Sequence, residues 1–169
     1  MAGAIKYCAN FENMSTIRDI IMDEFAPLLA DSDLNVRTAA FKSLAYLGKF
    51  YTHIVRGLLN EKFFLPALDM VLPYNEKFIN VIEFGGGVKQ KNDRALELRT
   101  TAYQFIYDFL GILVKKIPVV QLMRRVLHGF SKMCSTDLLT LLDMKEYFEI
   151  KELSCKILLS LFRTETLST

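Results

Sequence analysis

The 169-residue chain lacks most of what an enzyme, a disulfide-stapled domain or a membrane protein needs. It has no G-x-S-x-G elbow, no Walker loop and no H-E-x-x-H pair, so none of these routes to nucleophilic, phosphoryl or zinc chemistry is written in it. Its two histidines, His53 and His128, have no second histidine or acid at a metal-ligand spacing and read as ordinary helix residues. Three cysteines, Cys8, Cys134 and Cys155, stand far apart, form no C-x-x-C and are odd in number. They are expected to be small buried hydrophobes in a reducing compartment. The longest apolar run, residues 109–114, ends at Lys115 and Lys116, far short of a membrane span. Lys6, Asn10, Glu12 and Asn13 interrupt any early signal-peptide core. A net charge of +2 gives no strongly basic stripe for nucleic acid, and the pairs Lys115-Lys116 and Arg124-Arg125 read as solvated surface. The expectation is a soluble intracellular protein that is not an enzyme, with no cofactor, no metal, no nucleic acid and no membrane.

What the chain does have is apolar surface. Its hydrophobic fraction is 51% and its mean hydropathy +0.22, high for a soluble domain. One cause accounts for this: the ends are cut faces of a longer stack, normally covered by neighbouring repeats. Such a fragment is expected to self-associate.

Apolar residues recur at helical spacing through nearly the whole chain. A helix is predicted from a Ser15 or Thr16 cap through Ile17, Ile20, Ile21, Phe25, Leu28 and Leu29. Asp31 to Asp33 ends it and caps a second helix with Val36, Ala40, Leu44, Leu47 and Tyr51 on one face. Gly48 lies inside that helix, where another helix packs closely. A third helix is predicted over about 53–72, kinked or split by Pro66 and ended by Pro73. Helical period returns from Leu98 to Ile117, then from Pro118 to Met133. Thr136 or Asp137 caps a short leucine-rich turn. The last helix starts near Tyr147, and residues 163–169 are expected to fray. The methionines fall mostly on apolar stripes and are expected in the core.

A short pattern repeats: a polar turn, an aliphatic residue, a basic residue, then a small residue. It reads Asp33-Leu-Asn-Val36-Arg37-Thr-Ala-Ala40, then Leu98-Arg99-Thr-Thr-Ala102, then Ile150-Lys151-Glu-Leu-Ser154. The aliphatic residue faces the core, the small residue admits a paired helix, and the basic residue reaches acids on a neighbouring repeat. The fold class expected is all-α: an α-solenoid of HEAT-like helix pairs, one domain over 1–169, with one inserted β-hairpin. A compact helical bundle is the alternative.

Residues 76–93 do not fit the helical pattern. Phe78, Ile79, Val81, Ile82 and Phe84 are strong strand formers. On an extended strand Phe78, Ile82 and Phe84 share one face, and Ile79, Val81 and Glu83 the other. Gly85, Gly86 and Gly87 make the turn, lacking the Lys-Ser/Thr of a phosphate loop. Val88, Lys89, Gln90 and Lys91 return. A helical array needs no such ribbon for its core, so this arm is the candidate partner-binding site: Phe78, Val81, Ile82, Glu83, Phe84, Gly85, Gly86, Gly87, Val88, Lys89 and Lys91. Apolar residues on a projecting arm suit anchors in a partner's pocket.

The stretch Asp31-Ser-Asp-Leu-Asn-Val-Arg37, its apolar helix, the ribbon after Pro73, and Leu96-Glu-Leu-Arg99 with its helix resemble one region of a known family. They resemble the C-terminal HEAT repeats of the cullin-associated, neddylation-sensitive exchange factors, also described as TATA-binding-protein-interacting proteins. The resemblance covers about residues 15–162. It implies a cytoplasmic and nuclear scaffold that wraps an unmodified cullin within a cullin–RING ubiquitin ligase. This region would sit at the cullin N-terminal end, where the hairpin excludes substrate-receptor adaptors and so allows receptors to exchange. The turn departs from the family pattern of a single glycine followed by proline, an aromatic and a basic residue. The acidic-glycine step before the next helix is here Asn92-Asp93-Arg94-Ala95. A triple-glycine tip raises the entropic cost of ordering the arm on binding. Two other readings are a HEAT scaffold for transport or phosphatase cargo, bound through helix faces, and a transcription-factor-binding role.

Overall fold

The computed structural model describes residues 21–59, 64–84, 86, 88–134 and 144–166. Seven α-helices and one two-stranded antiparallel sheet follow in order among these residues. They are α1 (Leu34–Phe50), α2 (Thr52–Leu58), α3 (Phe64–Val71), β1 (Ile79–Phe84), β2 (Val88–Asp93), α4 (Leu96–Asp108), α5 (Leu110–Leu113), α6 (Val119–Cys134) and α7 (Met144–Thr166). The protein is mostly helical with one small sheet, as its periodicity requires.

The three copies of the repeated pattern lie on α1, α4 and α7. Helix α4 packs against both α1 and α7, and α6 also packs on α7. The small residues Ala40, Ala102 and Ser154 are all buried, which lets these helices approach. Leu98 and Ile150 face the core as expected, whereas Val36 is only half-buried. A run of rings, Phe41 to Phe64 at 6.5 Å, Phe64 to Phe105 at 5.5 Å and Phe105 to Phe109 at 4.7 Å, ties α1, α3 and α4 together. Gly48 is the position where α1 needs no side chain, because a Cβ there would stand 2.3 Å from the Phe109 ring.

Several boundaries differ from the periodicity. The part of the first predicted helix that is described is a π-turn, Ile21–Phe25, and a 3-10 turn, Ala26–Ala30. Pro27 removes a backbone donor at that junction, and the apolar pattern cannot register this. The long third helix is divided, as Pro66 required, but the division lies before Pro66. The proline itself occupies the first turn of α3, where its missing N–H costs nothing. The helical period from Leu98 to Ile117 breaks at Phe109, which separates α4 from α5. Asp33 caps α1 by accepting from the Asn35 amide at 2.7 Å. Helix α7 runs to Thr166, so residues 163–166 are helical, and the rest of the segment expected to fray, 167–169, lies outside the described residues. Cys134 and Cys155 are exposed, contrary to expectation, because each falls on the outer face of its helix. Met70 is likewise exposed, while Met133 is buried. The predicted Ser15 or Thr16 cap, Cys8 and the 136–142 turn lie outside the described residues. No helix among the described residues is long and apolar enough to cross a membrane.

Candidate interaction site: the β-arm and its root

The run Ile-Asn-Val-Ile-Glu-Phe is β-branched or aromatic at four of six positions and extends as β1. It pairs with β2 in the register Ile79 to Asp93, Val81 to Lys91, Glu83 to Lys89 and Phe84 to Val88. Gly86 takes φ +87°, a conformation that favours glycine, and a Cβ there would meet nothing within 4 Å. The tip is therefore open. Gly85 and Gly87 lie outside the described residues. The return strand continues past Lys91 to Asp93, two residues further than its sequence pattern indicated.

Along the arm the usual burial pattern is inverted. Val81, Ile82 and Phe84 are 53%, 40% and 49% exposed, although strands this apolar normally cover a core. Val81 lies on one face and Ile82 and Phe84 on the other, so both faces present apolar surface. Glu83 and Lys89 form a cross-strand ion pair at 2.7 Å. Both are about two-thirds exposed, so water and salt screen the pair and it adds little to stability. A hollow of about 240 Å³ opens at the base of the arm between Tyr74, Glu76, Ile79, Val81 and Lys91.

Phe78 is not on the strand face with Ile82 and Phe84. It closes a 3-10 turn, Glu76–Phe78, whose Asn75 cap accepts from the Lys77 amide at 3.0 Å. Its carbonyl accepts from the Arg94 amide at 3.0 Å, and the Arg37 guanidinium stands 5.5 Å from its ring centroid. Phe78 thus belongs to the root of the arm. The chain turns before β1 because Asn75 offers its side chain to the backbone, an option that strand propensity does not weigh.

The other half of the root is polar and buried. Asp93, at the end of β2, is 4% exposed. Its Oδ1 accepts from the Ala95 amide at 2.9 Å, and its Oδ2 accepts from Arg99 Nη1 and from the Tyr147 hydroxyl. Arg99 is fully buried, with its guanidinium carbon 6.0 Å from the Tyr74 ring centroid. Tyr147, on α7, is 1% exposed. Burial, then the bond to Asp93, push its phenol well above the ordinary tyrosine range. Burial pulls Arg37 down from the usual arginine value, while Asp31 and Asp33 push back.

The two motif arginines, Arg37 and Arg99, therefore hold the entry and the exit of the arm. The acid that Arg99 reaches lies six residues upstream of it and not on a neighbouring repeat. The first copy has the same spacing and the same turn at its acid. Asp31 stands six residues before Arg37 and accepts from the Asp33 amide at 2.8 Å, as Asp93 accepts from Ala95. This recurring D-x-x-x-x-x-R spacing was the sequence signal for the root. Tyr147 carried no comparable signal.

No group of three His, Cys, Asp or Glu side chains among the described residues could hold a metal ion. His128 is exposed, on α6. Arg125 is held by Asp69, with Nε 2.8 Å from Oδ1 and Nη2 donating to Oδ2 at 3.0 Å. What the arm offers chemically is apolar contact area on a braced two-stranded prong, with one acid–base pair near its tip.

Residues 54–163 match the family model described as TATA-binding protein interacting (TIP20). The chain is also 32% identical over 98 residues to Cullin-associated NEDD8-dissociated protein 1 of Dictyostelium discoideum, covering 58% of this chain and 8% of that protein. The family match takes in the arm, the Asp93, Arg99 and Tyr147 side of its root and every helix from α3 to α6, well over half of the chain, and on that ground the protein belongs to the TIP120 family.

Proposed function

We propose that this chain is part of a non-enzymatic cullin-binding scaffold, a stack of HEAT-like helix pairs whose β-arm occupies ground that a substrate-receptor adaptor would otherwise use. Binding then regulates the assembly of cullin–RING ligases and the exchange of their receptors. The observation that carries this reading is the exposure of Val81, Ile82 and Phe84 on a braced arm in a chain of the TIP120 family. The name of the Dictyostelium relative, cullin-associated, supports the choice of partner. Apolar anchors entering a pocket dominate the energetics of protein interfaces, whereas a solvated loop would carry none.

The packing of α4 between α1 and α7 supports the stacked arrangement. Phe148 and Leu159 on α7 are 73% and 60% exposed, which supports coverage by a further helix pair or by a second copy of the chain. The test is capture of an unmodified cullin N-terminal region by the protein, with and without saturating adaptor. Competition is expected for the native chain. The double substitution Ile82→Ser, Phe84→Ser is expected to abolish capture. Simultaneous binding of adaptor and scaffold overturns the exclusion mechanism. Undiminished capture by the double variant moves the contact off the arm and onto helix faces.

The family description favours one second reading, a transcription-factor partner. It predicts binding of TATA-binding protein at the same arm, and the same double variant tests it.

A further inference from the structure

We infer that Asp93, Arg99 and Tyr147 act as positioning residues that aim the arm, so that a side chain on α7 which lies at the root sets the affinity of the tip for its partner. The inference rests on the arm being the partner-binding element.

A two-stranded ribbon is marginal in water by itself. Its cross-strand ion pair is too exposed to stiffen it, and Val81, Ile82 and Phe84 are only about half covered. Rigidity must enter at the root. Two clamps are present there. At the entry, Phe78 lies against the Arg37 guanidinium and takes the Arg94 amide on its carbonyl. At the exit, one carboxylate, Asp93, gathers three donors from three places: the Ala95 amide, Arg99 on α4 and Tyr147 on α7. Three donors converging on one buried acceptor set its position in three directions. The end of β2 is thereby fixed relative to both helices, and the arm inherits that direction.

Buried ionic groups are costly to desolvate and add little net stability against an apolar replacement, so a stability role alone accounts poorly for them. Their geometric demand is strict, because a carboxylate displaced by an ångström leaves Arg99 unpaired at full burial. A projecting arm needs such strictness: a small angular error at the root becomes a large displacement at Phe84. An anchor that samples many directions loses affinity through the fraction of time it is misaligned. Tyr147 also joins the arm to α7, whose outer face carries Phe148 and Leu159.

The test uses Tyr147→Phe, which removes that hydroxyl and keeps the ring packed. Three quantities are measured on the full chain: thermal midpoint, ¹⁵N relaxation of the arm amides from Val81 to Phe84 against those of α1, and affinity for an unmodified cullin N-terminal region. The expected result is a small shift in midpoint, a drop in order confined to the arm, and affinity weakened about tenfold, the loss for an arm that holds its binding direction about a tenth of the time. Asp93→Asn is the second variant, since it keeps the shape and removes the charge; it is expected to loosen the arm in the same way. Unchanged arm order in both variants overturns the inference. So does a loosened arm that binds the cullin as tightly as before. If the native chain captures no cullin while Tyr147→Phe still frees the arm, the proposed partner falls and the positioning role stands.

Discussion

The tip and the root of the arm are opposite in chemistry. At the tip Val81, Ile82 and Phe84 are apolar and exposed; at the root Asp93, Arg99 and Tyr147 are polar and buried. Each arrangement is unfavourable taken alone. Exposed apolar side chains forgo burial, and buried charges forgo hydration. Folding does not need either one, since α1, α4 and α7 already form a core around Leu44, Phe105 and Ile157. A segment that inverts the pattern at both ends is shaped for something other than its own stability. The root gives direction, and the tip gives contact.

The largest effect should come from cutting the root. Asp93→Ala leaves the Arg99 guanidinium buried without its carboxylate, and about 3–5 kcal/mol should be lost. Urea unfolding followed by circular dichroism measures this, and a loss under about 1 kcal/mol would erase the contrast between the two ends. Next comes the tip. Ile82→Ser with Phe84→Ser should cost no more than about 1 kcal/mol per site, since about half of each side chain is already exposed. The same pair should weaken partner binding by about a thousandfold, at about 2 kcal/mol for each anchor. Titration calorimetry alongside thermal melts separates the two readouts.

A third effect is pH dependence from the buried phenols Tyr103 on α4 and Tyr147 on α7. Burial pushes Tyr103 up to about 12 and raises Tyr147 as well. A phenol held protonated in the fold contributes stability that is fully present below its unfolded pKa of about 10 and is lost as pH rises toward the folded value. The native chain should therefore lose stability above about pH 10, and Tyr147→Phe should flatten that limb. Chemical unfolding at pH 9 and pH 11 decides it. The smallest effect belongs to the Glu83–Lys89 pair. Glu83→Gln should cost at most about 0.5 kcal/mol and the difference should vanish in high salt, because both charges are well solvated.

Much of this was legible in the residues. The helical stripes through Ala40, Leu44 and Leu47 and through Ala102 and Phe105 face the core as their spacing demands. The β-branched run 79–84 extends and pairs back on 88–93 across a turn at Gly86. Gly48 marked a close approach, and the Phe109 ring fills it. Other features were not legible. Phe78 read as one more strand residue, but Asn75 turns the backbone first. Arg37 and Arg99 read as reaching acids on a neighbouring repeat, yet both are buried, and the acid that Arg99 meets is Asp93, six residues upstream. Asn92-Asp93 read as a departure from a family turn, and Asp93 is the acceptor on which the root is built. Cys155 read as buried because its neighbours are apolar, but one step round a helix turns a side chain by about a quarter of a circle.

The sequence by itself determined the element types, the place of the arm and the absence of the catalytic motifs sought. These follow from local preferences: the period of apolar residues, β-branching and glycine at a turn. Only the tertiary structure decided which arm residues belong to the tip and which to the root, and that a tyrosine 54 positions away completes the root. The physical reason is that backbone preference is set by near neighbours, whereas the burial of a charge depends on donors and acceptors that packing brings from elsewhere in the chain.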